Sequence, residues 1–199
     1  MSRQKARRES QLLDAATHLF REKGYHNTSM QDLADALGIQ KASLYYYVES
    51  KEELLLRLLE RGSSLLGARI DQIYAADLPP VEKLRRVLEN HAMTVMEHLN
   101  LISVYIQEYR RLPPERLGEV LAERKHYEQV LMRILEDGIA SGDFRPVNVK
   151  IVMLGVLGML NWVHQWFSPA GELSPQEIAT ILTDLVLRGV LAGSGEGRD

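Results

Sequence analysis

Between Gly38 and Lys51 the chain carries a dense group of hydrogen-bonding side chains. Within about two helical turns it places an ammonium group, a hydroxyl and three phenols, on Lys41, Ser43, Tyr45, Tyr46 and Tyr47. An apolar segment, residues 30–37, precedes this group, and Gly38 supplies the tight turn between the two. Helix–turn–helix units place a short second helix with polar tips in the major groove of DNA. The pattern therefore predicts a helix–turn–helix whose second helix contacts phosphates and base edges.

Some of these side chains are expected to contact the DNA backbone. Thr28 and Lys51 lie at or near the N-termini of their helices, where backbone N–H groups and the helix dipole attract phosphate. The Tyr46 ring is expected to pack near the recognition helix, with its hydroxyl at a phosphate. A basic N-terminal arm is expected to reach a neighbouring phosphate or the minor groove. This arm consists of Arg3, Lys5, Arg7 and Arg8.

Other side chains are candidates for contacts inside the groove. Lys41, Ser43 and Tyr45 are expected on the exposed side of the recognition helix. Ala42 has a small side chain, so it allows a close approach to the groove and contact with a thymine methyl group. For Tyr47, packing against the following helix and contact with DNA remain equally open.

Helical periodicity and capping residues outline the elements around this group. Apolar residues at helical spacing predict a first helix, with Leu12, Leu13, Ala16, Leu19 and Phe20 on one face. Gly24 is expected to end that helix, and Asn27 or Thr28 to cap the next one. Leu44 and Val48 are expected to face the core.

A further helix is expected to begin directly after the recognition helix. Ser50 is its predicted cap, and Glu53 occupies the capping-box position three residues later. The order is therefore helix, glycine turn, helix, glycine turn, short helix and then a longer helix.

Residues 8–57 resemble the N-terminal domain of the TetR family of one-component regulators. The matching segment is AATHLFREKGYHNTSMQDLADALGIQKASLYYYVESKEELL. The chain departs from the usual pattern at Gln40, where a Ser cap is common, and at Ala42, Tyr47 and Val48. The resemblance implies an all-α fold, with a three-helix DNA-binding domain and a six-helix ligand-binding and dimerisation domain. It also implies a repressor that acts on double-stranded operator DNA.

Composition narrows the classes of function. The chain has 199 residues, a net charge of −3 and no cysteine, which excludes disulfides and thiolate chemistry. Residues 1–51 hold eight Lys and Arg against six Asp and Glu, so the basic charge lies in the DNA-binding part. No signal segment is seen, and the most apolar run, residues 151–160, is too short to span a membrane. We therefore expect a cytoplasmic protein with no membrane partner.

Catalytic and metal-binding motifs are not found. His91 and His98 are seven residues apart but lack companion ligands at the spacing of a known zinc motif. The sequence has no nucleophile elbow, no Walker loop and no dinucleotide-binding fingerprint. We expect no enzyme activity, no metal site and no cofactor.

Beyond residue 50 the pattern is helical throughout. Three regions are expected: a helix–turn–helix domain at 1–50, a ligand-binding and dimerisation domain at 51–192, and a disordered tail at 193–199. Residues 50–74 are predicted to form one helix, weakened at Gly62 and Gly67. Pro80 is predicted to begin the next helix. Ser174 and Glu177 form a capping box for the last one, with Pro175 at its first position.

The last two helices are apolar over unusually wide arcs, which predicts burial on most sides. The residues concerned are Val152, Leu154, Val156, Leu157, Met159, Leu160, Ile178, Ile181, Leu182, Leu185, Val186 and Val190. Gly155 and Gly158 allow another backbone to approach closely. We interpret this surface as a homodimer interface, and the resemblance supports four helices there. A two-fold dimer presents two recognition helices about one DNA turn apart and therefore demands a roughly palindromic operator.

The body between these regions carries polar groups among core residues. Methionine and aromatic side chains make adaptable apolar pockets, in which a few polar groups orient a ligand. The candidate ligand-binding residues are Met93, Met96, Tyr105, Glu108, Tyr109, Tyr127, Trp162 and Trp166. Each of these is also consistent with ordinary core packing.

The C-terminal half resembles the branch of the TetR family that responds to acyl-CoA thioesters. Asn161-Trp162, Trp166-Phe167 and the turn at Ser168-Pro169 carry this likeness. A thioester effector needs an apolar slot for its acyl group and basic side chains at the mouth for its phosphates. The candidate mouth residues are Arg110, Arg111, Arg116, Arg124, Lys125 and Arg133.

Two alternatives remain open. One is a multidrug-type sensor that binds amphipathic cations through Glu97 or Glu108. The other is a DNA-binding dimer with a filled body that responds to no ligand. In the effector-responsive interpretations, residues 50–74 act as a lever, and the ligand favours a conformation that no longer fits the operator.

Overall fold

The computed structural model describes residues 3–192, with side chains from Arg7 onward, and this part of the chain forms helices and no named strand. The all-α prediction is confirmed. The helices are α1 (Arg3–Lys23), α2 (Met30–Ala36), α3 (Lys41–Leu44), α4 (Lys51–Gly67), α5 (Ile70–Ala75), α6 (Pro80–Glu97), α7 (Leu99–Glu108), α8 (Gly118–Ser141), α9 (Val149–Trp166) and α10 (Pro175–Val190). Two 3-10 turns, Tyr109–Arg111 and Pro114–Arg116, lie between α7 and α8. The tail predicted at 193–199 lies outside the described residues.

The chain divides into two compact units. The first extends to Ser64 and includes Leu99–Leu121, so α7 and the two 3-10 turns belong with the DNA-binding helices. The second contains Leu65–His98 and the chain from Ala122 onward. The N-terminal basic residues do not form a separate arm, because α1 already begins at Arg3. The side chains of Arg3 and Lys5 lie outside the described residues, whereas Arg7 and Arg8 are exposed.

Each unit has its own apolar interior. In the first unit α1 packs on α2 and α7. Its fully buried side chains include Leu12, Phe20, Leu33, Leu44, Leu54 and Ile102. In the second unit α6 packs between α9 and α10. Its buried side chains include Leu84, Leu88, Val95, Ile134, Leu160 and Leu187.

The single helix predicted for residues 50–74 is wrong. The structure ends α4 at Gly67 and begins α5 at Ile70, leaving Ala68 and Arg69 between them. Gly67 has open space around its Cα, so no packing offsets its poor helix propensity. The helix continues through Gly62. A Cβ there would lie 2.8 Å from the Cβ of Tyr105, so glycine permits the close packing of α4 on α7. The split explains why the described part of the chain has ten α-helices where nine were expected.

The cap of α2 also differs from the prediction of Asn27 or Thr28. Ser29 caps the helix: its hydroxyl accepts from the Asp32 N–H, and the Asp32 carboxylate accepts from the Ser29 N–H at 2.8 Å. Hydrogen bonds from Lys23 and Ser29 hold the pKa of the Asp32 carboxyl well below its usual range. The reciprocal bonds satisfy two N–H groups that a helix start otherwise leaves unpaired.

The other two predicted caps are present. Ser50 Oγ accepts from the Glu53 N–H at 3.1 Å, but the Glu53 carboxylate accepts from the N–H of Glu49 at 2.7 Å instead of that of Ser50. The capping box of Ser174 and Glu177 is complete. Both helix starts are therefore satisfied by their own side chains.

Candidate DNA-binding surface and regulatory body

The recognition helix is a single turn supported from below by two apolar side chains. It follows Gly38, whose φ of +63° gives the left-handed turn expected there. Leu44 and Val48 are 0% and 2% exposed, which confirms that they face the core. Gln40, at the position where the family commonly has Ser, makes no side-chain capping bond. The helix therefore depends on its neighbours for its position.

The candidates for groove contact lie on the outer surface of this turn. Lys41, Ala42 and Ser43 are exposed, and Tyr45 and Tyr46 are 47% and 71% exposed. Neighbouring aromatic rings this open to solvent are typical of a surface that binds a partner. The structure thus brings five of the seven predicted DNA-binding residues together on one accessible surface.

Tyr47 is half-buried beside this surface. Its ring meets that of Tyr46 edge to face, with the centroids 5.2 Å apart. Its carbonyl oxygen accepts from Arg57 of α4 at 3.4 Å. The backbone of Tyr47 thus contacts α4, and its ring contacts Tyr46.

The predicted phosphate contact by Thr28 is not supported. Its side chain is 1% exposed, and its hydroxyl donates to the carbonyl oxygen of Gly24 at 2.9 Å. The hydroxyl thus satisfies a carbonyl at the end of α1. Thr28 is a structural residue of the turn between α1 and α2.

The predicted phosphate contact by Lys51 is also not supported, because its side chain bonds to backbone carbonyls of the DNA-binding unit. Its Nζ donates to the carbonyl oxygens of Tyr25 and Thr28, both at 2.8 Å. The same nitrogen lies 4.4 Å from the centroid of the Tyr25 ring. Burial lowers the pKa of this ammonium group. Sequence reasoning missed these carbonyl contacts, because residue type alone does not tell which way a lysine side chain points.

The predicted effector-binding residues are divided between the two units. Tyr105, Glu108 and Tyr109 belong to the first unit. There Tyr105 packs on Gly62, the Glu108 carboxylate accepts from Arg111 at 3.0 Å, and the Tyr109 hydroxyl accepts from Arg110 at 2.8 Å. Met93, Met96, Tyr127, Trp162 and Trp166 belong to the second unit.

A buried polar chain crosses the second unit. His91 Nδ1 lies 2.9 Å from the Tyr127 hydroxyl, and His91 Nε2 lies 3.1 Å from Asn161 Oδ1. Because an amide oxygen only accepts, Nε2 carries the proton and Nδ1 accepts from the phenol. Burial lowers the pKa of His91 to about 4 and raises that of Tyr127. The chain joins α6, α8 and α9 as a neutral, hydrogen-bonded group.

A cavity of about 670 Å³ lies elsewhere in the second unit. This volume falls within the range of small-molecule sites. It is lined by Leu65, Ala68, Arg69, Ile73, Arg86, Glu89, Asn90, Met93, Thr94, Glu97, His98 and Gln176. Met93 is the one member of the predicted set on this wall. Its charged lining combines two arginines with two glutamates, so neither charge is in excess. Of these four residues, only Glu97 was a candidate from the sequence.

Trp162 and Trp166 do not wall an interior cavity. They are 62% and 49% exposed on the outer surface of α9. Trp162 follows Leu154 and Gly158 at helical spacing along one exposed stripe. The spacing of four from Gly158 is a signal in the sequence that would have placed this tryptophan on the candidate dimer surface.

That stripe continues onto α10. Ile151 and Leu154 of α9 are 63% and 48% exposed, and Ile181 and Leu185 of α10 are 55% and 62% exposed. Contiguous apolar surface of this kind marks an interaction site in a folded protein. A groove of about 380 Å³ beside it is lined in part by Trp166, Leu173, Ile178 and Leu182.

The six basic residues predicted for an effector mouth are divided between the two units. Arg110, Arg111 and Arg116 lie in the first unit, whereas Arg124, Lys125 and Arg133 lie in the second. Arg116 pairs with Glu52 at 3.6 Å and Arg124 with Glu128 at 3.0 Å. The predicted basic mouth stays a prediction.

Among residues 3–192, no helix has the length and apolar character needed to cross a membrane. Over the same residues, no group of three or more His, Cys, Asp or Glu side chains is arranged to hold a metal ion.

A helix–turn–helix with an exposed recognition turn, followed by further helices, is typical of a DNA-binding transcriptional regulator. Residues 12–58 match the family model for bacterial regulatory proteins of the tetR family, and residues 77–190 match the Tetracyclin repressor-like C-terminal domain. The chain belongs to the TetR family of transcriptional regulators.

Individual relatives agree with this assignment. The HTH-type transcriptional repressor KstR2 of Mycobacterium tuberculosis is 30% identical over 186 residues, which cover 92% of each chain. The structure of that ketosteroid transcriptional regulator has a TM-score of 0.88 and covers 93% of this chain and 95% of its own.

Two further solved structures are similar over nearly the whole chain. The TetR family regulator PfmR from Thermus thermophilus is 38% identical, with a TM-score of 0.82 and coverage of 94% and 99%. AibR in complex with isovaleryl coenzyme A and operator DNA is 28% identical, with a TM-score of 0.81 and coverage of 89% and 97%.

Proposed function

We propose that this TetR-type repressor binds a roughly palindromic operator as a homodimer in the cytoplasm and is released by an acyl-CoA thioester. The observation that carries the DNA-binding part is the exposed turn from Lys41 to Tyr46, held on a buried Leu44 behind the Gly38 turn. Lys41, Ala42, Ser43 and Tyr45 contact the groove, and Tyr46 contacts a phosphate.

The exposed stripe on α9 and α10 supports the homodimer. Ile151, Leu154, Trp162, Ile181 and Leu185 are each about half exposed or more in the single chain. Pairing this stripe with itself in a second copy removes the apolar surface from water. Gly155 and Gly158 lie exposed on α9 and give the partner backbone room to approach.

The acyl-CoA effector is supported by relatives. AibR, whose structure matches 89% of this chain, was crystallised with isovaleryl coenzyme A and operator DNA. The same body fold is found in a ketosteroid regulator.

Release follows from a shift in population between two conformations. Helix α4 begins at Lys51 beside the recognition turn and ends at Gly67. Its end lies at the 670 Å³ cavity, which is lined in part by Leu65, Ala68 and Arg69. A ligand that prefers one arrangement of this region changes the position of α4 and thereby the spacing of the two recognition helices.

The test is a DNA-binding titration with the promoter upstream of the chain's own gene. The panel contains acyl-CoAs, the matching free acids and cationic dyes. Release by a thioester but not by its acid supports the proposal. Release by cations instead supports a multidrug-type sensor, for which Glu97 lines the cavity while Glu108 is already paired with Arg111. Unchanged binding throughout leaves a dimer that responds to no ligand.

A further inference from the structure

The ammonium group of Lys51 joins two parts of the DNA-binding unit that are far apart in sequence. It donates to the carbonyl oxygens of Tyr25 and Thr28 at 2.8 Å each, and it lies over the Tyr25 ring. The Tyr25 side chain is 6% exposed and packs edge to face on Phe20 of α1, with the ring centroids 5.2 Å apart. The lysine is thus anchored to the segment that follows α1 and packs on it through Tyr25.

These contacts close a loop that contains the whole helix–turn–helix. Thr28 is the last residue before the Ser29 cap of α2, and Lys51 is the first residue of α4. Residues 29–50, which lie between them, contain α2, the Gly38 turn, α3 and the exposed Tyr45 and Tyr46. One side chain therefore holds both ends of the DNA-reading segment together.

The recognition helix depends on such a closure. It has four residues and no side-chain cap at Gln40. A helix this short has little stability of its own, because nucleation fixes several residues for each hydrogen bond formed. Buried Leu44 and Val48 hold it from below, and fixing the segment's two ends restricts its remaining freedom.

We propose that Lys51 is a positioning residue, which sets the orientation of the recognition helix by clamping the ends of residues 29–50 and makes no phosphate contact of its own. An ammonium group that already donates to two carbonyls and lies against an aromatic ring offers less to an incoming phosphate. Operator affinity then depends on Lys51 through α3. This inference rests on the proposed operator binding and is independent of the effector.

Salt dependence separates positioning from direct contact. Each phosphate contact contributes about 0.9 to the slope of log K against log salt concentration. Operator affinity is measured from low to moderate salt for the wild type, Lys51→Met and Lys51→Gln. Lys41→Met is the comparison variant, which removes an exposed cation from the recognition helix. Clamping predicts that Lys51→Met lowers affinity roughly tenfold or more with an unchanged slope. Lys51→Gln, whose amide still donates to a carbonyl, recovers part of that affinity.

Two results overturn the proposal. One is a slope reduced by about 0.9 for each subunit in both Lys51 variants, which identifies a direct phosphate contact. The other is an affinity equal to that of the wild type in Lys51→Met. If Lys51→Met does not fold, the slope of Lys51→Gln decides the question.

Hydrogen exchange tests the clamp without DNA. It therefore remains decisive even when the wild type binds no operator and the proposed function fails. The amides of Leu44, Tyr47 and Val48 donate to carbonyls within the recognition turn. Clamping predicts faster exchange of these amides in Lys51→Gln, with unchanged exchange in the middle of α1. Equal exchange in the wild type and the variant contradicts the clamp.

Discussion

His91 Nδ1 lies 2.9 Å from the hydroxyl oxygen of Tyr127 in the interior of the second unit, where both side chains are more than nine-tenths buried. Asn161 accepts from the opposite ring nitrogen, so both nitrogens of the neutral imidazole are satisfied. A protonated ring would instead place a second N–H against the Tyr127 hydroxyl, in surroundings that disfavour charge. The neutral histidine thus links protein stability to pH.

Acidification is expected to destabilise the protein through His91. In the unfolded chain this histidine binds a proton below about pH 6.5, whereas burial lowers its pKa to about 4 in the folded protein. Stability is therefore full above about pH 6.5 and falls as the pH drops towards about 4, by about 3 kcal/mol in all. Urea unfolding at about pH 7.5, above this transition, and at about pH 4.5, near its lower end, measures most of the loss.

The matched variants for this experiment are His91→Gln and His126→Gln. His91→Gln is less stable at neutral pH but loses less on acidification, while His126→Gln, on the surface beside Asp71, behaves as the wild type. An equal acid-induced loss in His91→Gln and wild type would contradict this role of the buried ring.

Adding a methyl group at Gly62 is expected to destabilise the first unit. A Cβ at this position would lie 2.8 Å from Tyr105 Cβ and 3.0 Å from its Cγ, so α4 and α7 must move apart. Gly62→Ala therefore lowers the free energy of unfolding by about 1–3 kcal/mol, despite alanine's better helix propensity. Gly67→Ala is the control, since a Cβ there meets nothing within 4 Å. If both variants are as stable as the wild type, the close packing of Gly62 on Tyr105 is refuted.

The Tyr45 hydroxyl is expected to contribute to operator specificity. Tyr45→Phe removes one exposed polar group from the recognition turn without changing the core, because Leu44 and Val48 lie beneath it. Specific binding weakens by about 1–3 kcal/mol if a base contact is lost, while binding to unrelated DNA is unchanged. Fluorescence anisotropy with operator and scrambled duplexes measures both. Tyr74→Phe, in the second unit, leaves both values unaltered, and an equal effect on both duplexes would argue against a base contact.

A charge in the apolar stripe is expected to separate the subunits. Leu185 is 62% exposed in the single chain, and Leu185→Glu places a carboxylate in the proposed interface, where its desolvation is unfavourable. Sedimentation velocity then shows a monomer at concentrations where the wild type is a dimer. Leu121→Glu changes a leucine that is 37% exposed in the first unit and leaves the dimer intact. A dimeric Leu185→Glu protein would place the interface elsewhere.

Local patterns were enough to predict the order of the helices in the helix–turn–helix and the burial of its core residues. The apolar positions of α1, the left-handed Gly38 and the burial of Leu44 and Val48 all follow from short-range spacing and backbone sterics. The capping box at Ser174 and Glu177 is equally local. Such features depend on residues within one or two turns of each other.

Long-range contacts were not predictable in the same way. Lys51 at a helix start is compatible with a phosphate contact or with inward carbonyl bonds, and only the folded position of Tyr25 and Thr28 decides between them. Gly62 looked like a weak point in the helix because Tyr105, its packing partner, lies on another helix. Trp162 was predicted to bind the effector because it is aromatic, whereas the structure places it on the exposed surface of α9.

The most direct test of the proposed repressor is the anisotropy of a labelled operator duplex bound by the protein and titrated with an acyl-CoA, its free acid or coenzyme A alone. Release by micromolar thioester, with no effect of the acid or of coenzyme A at the same concentration, is the predicted result. Operator binding that stays constant across an acyl-CoA series of increasing chain length would contradict thioester control of this regulator.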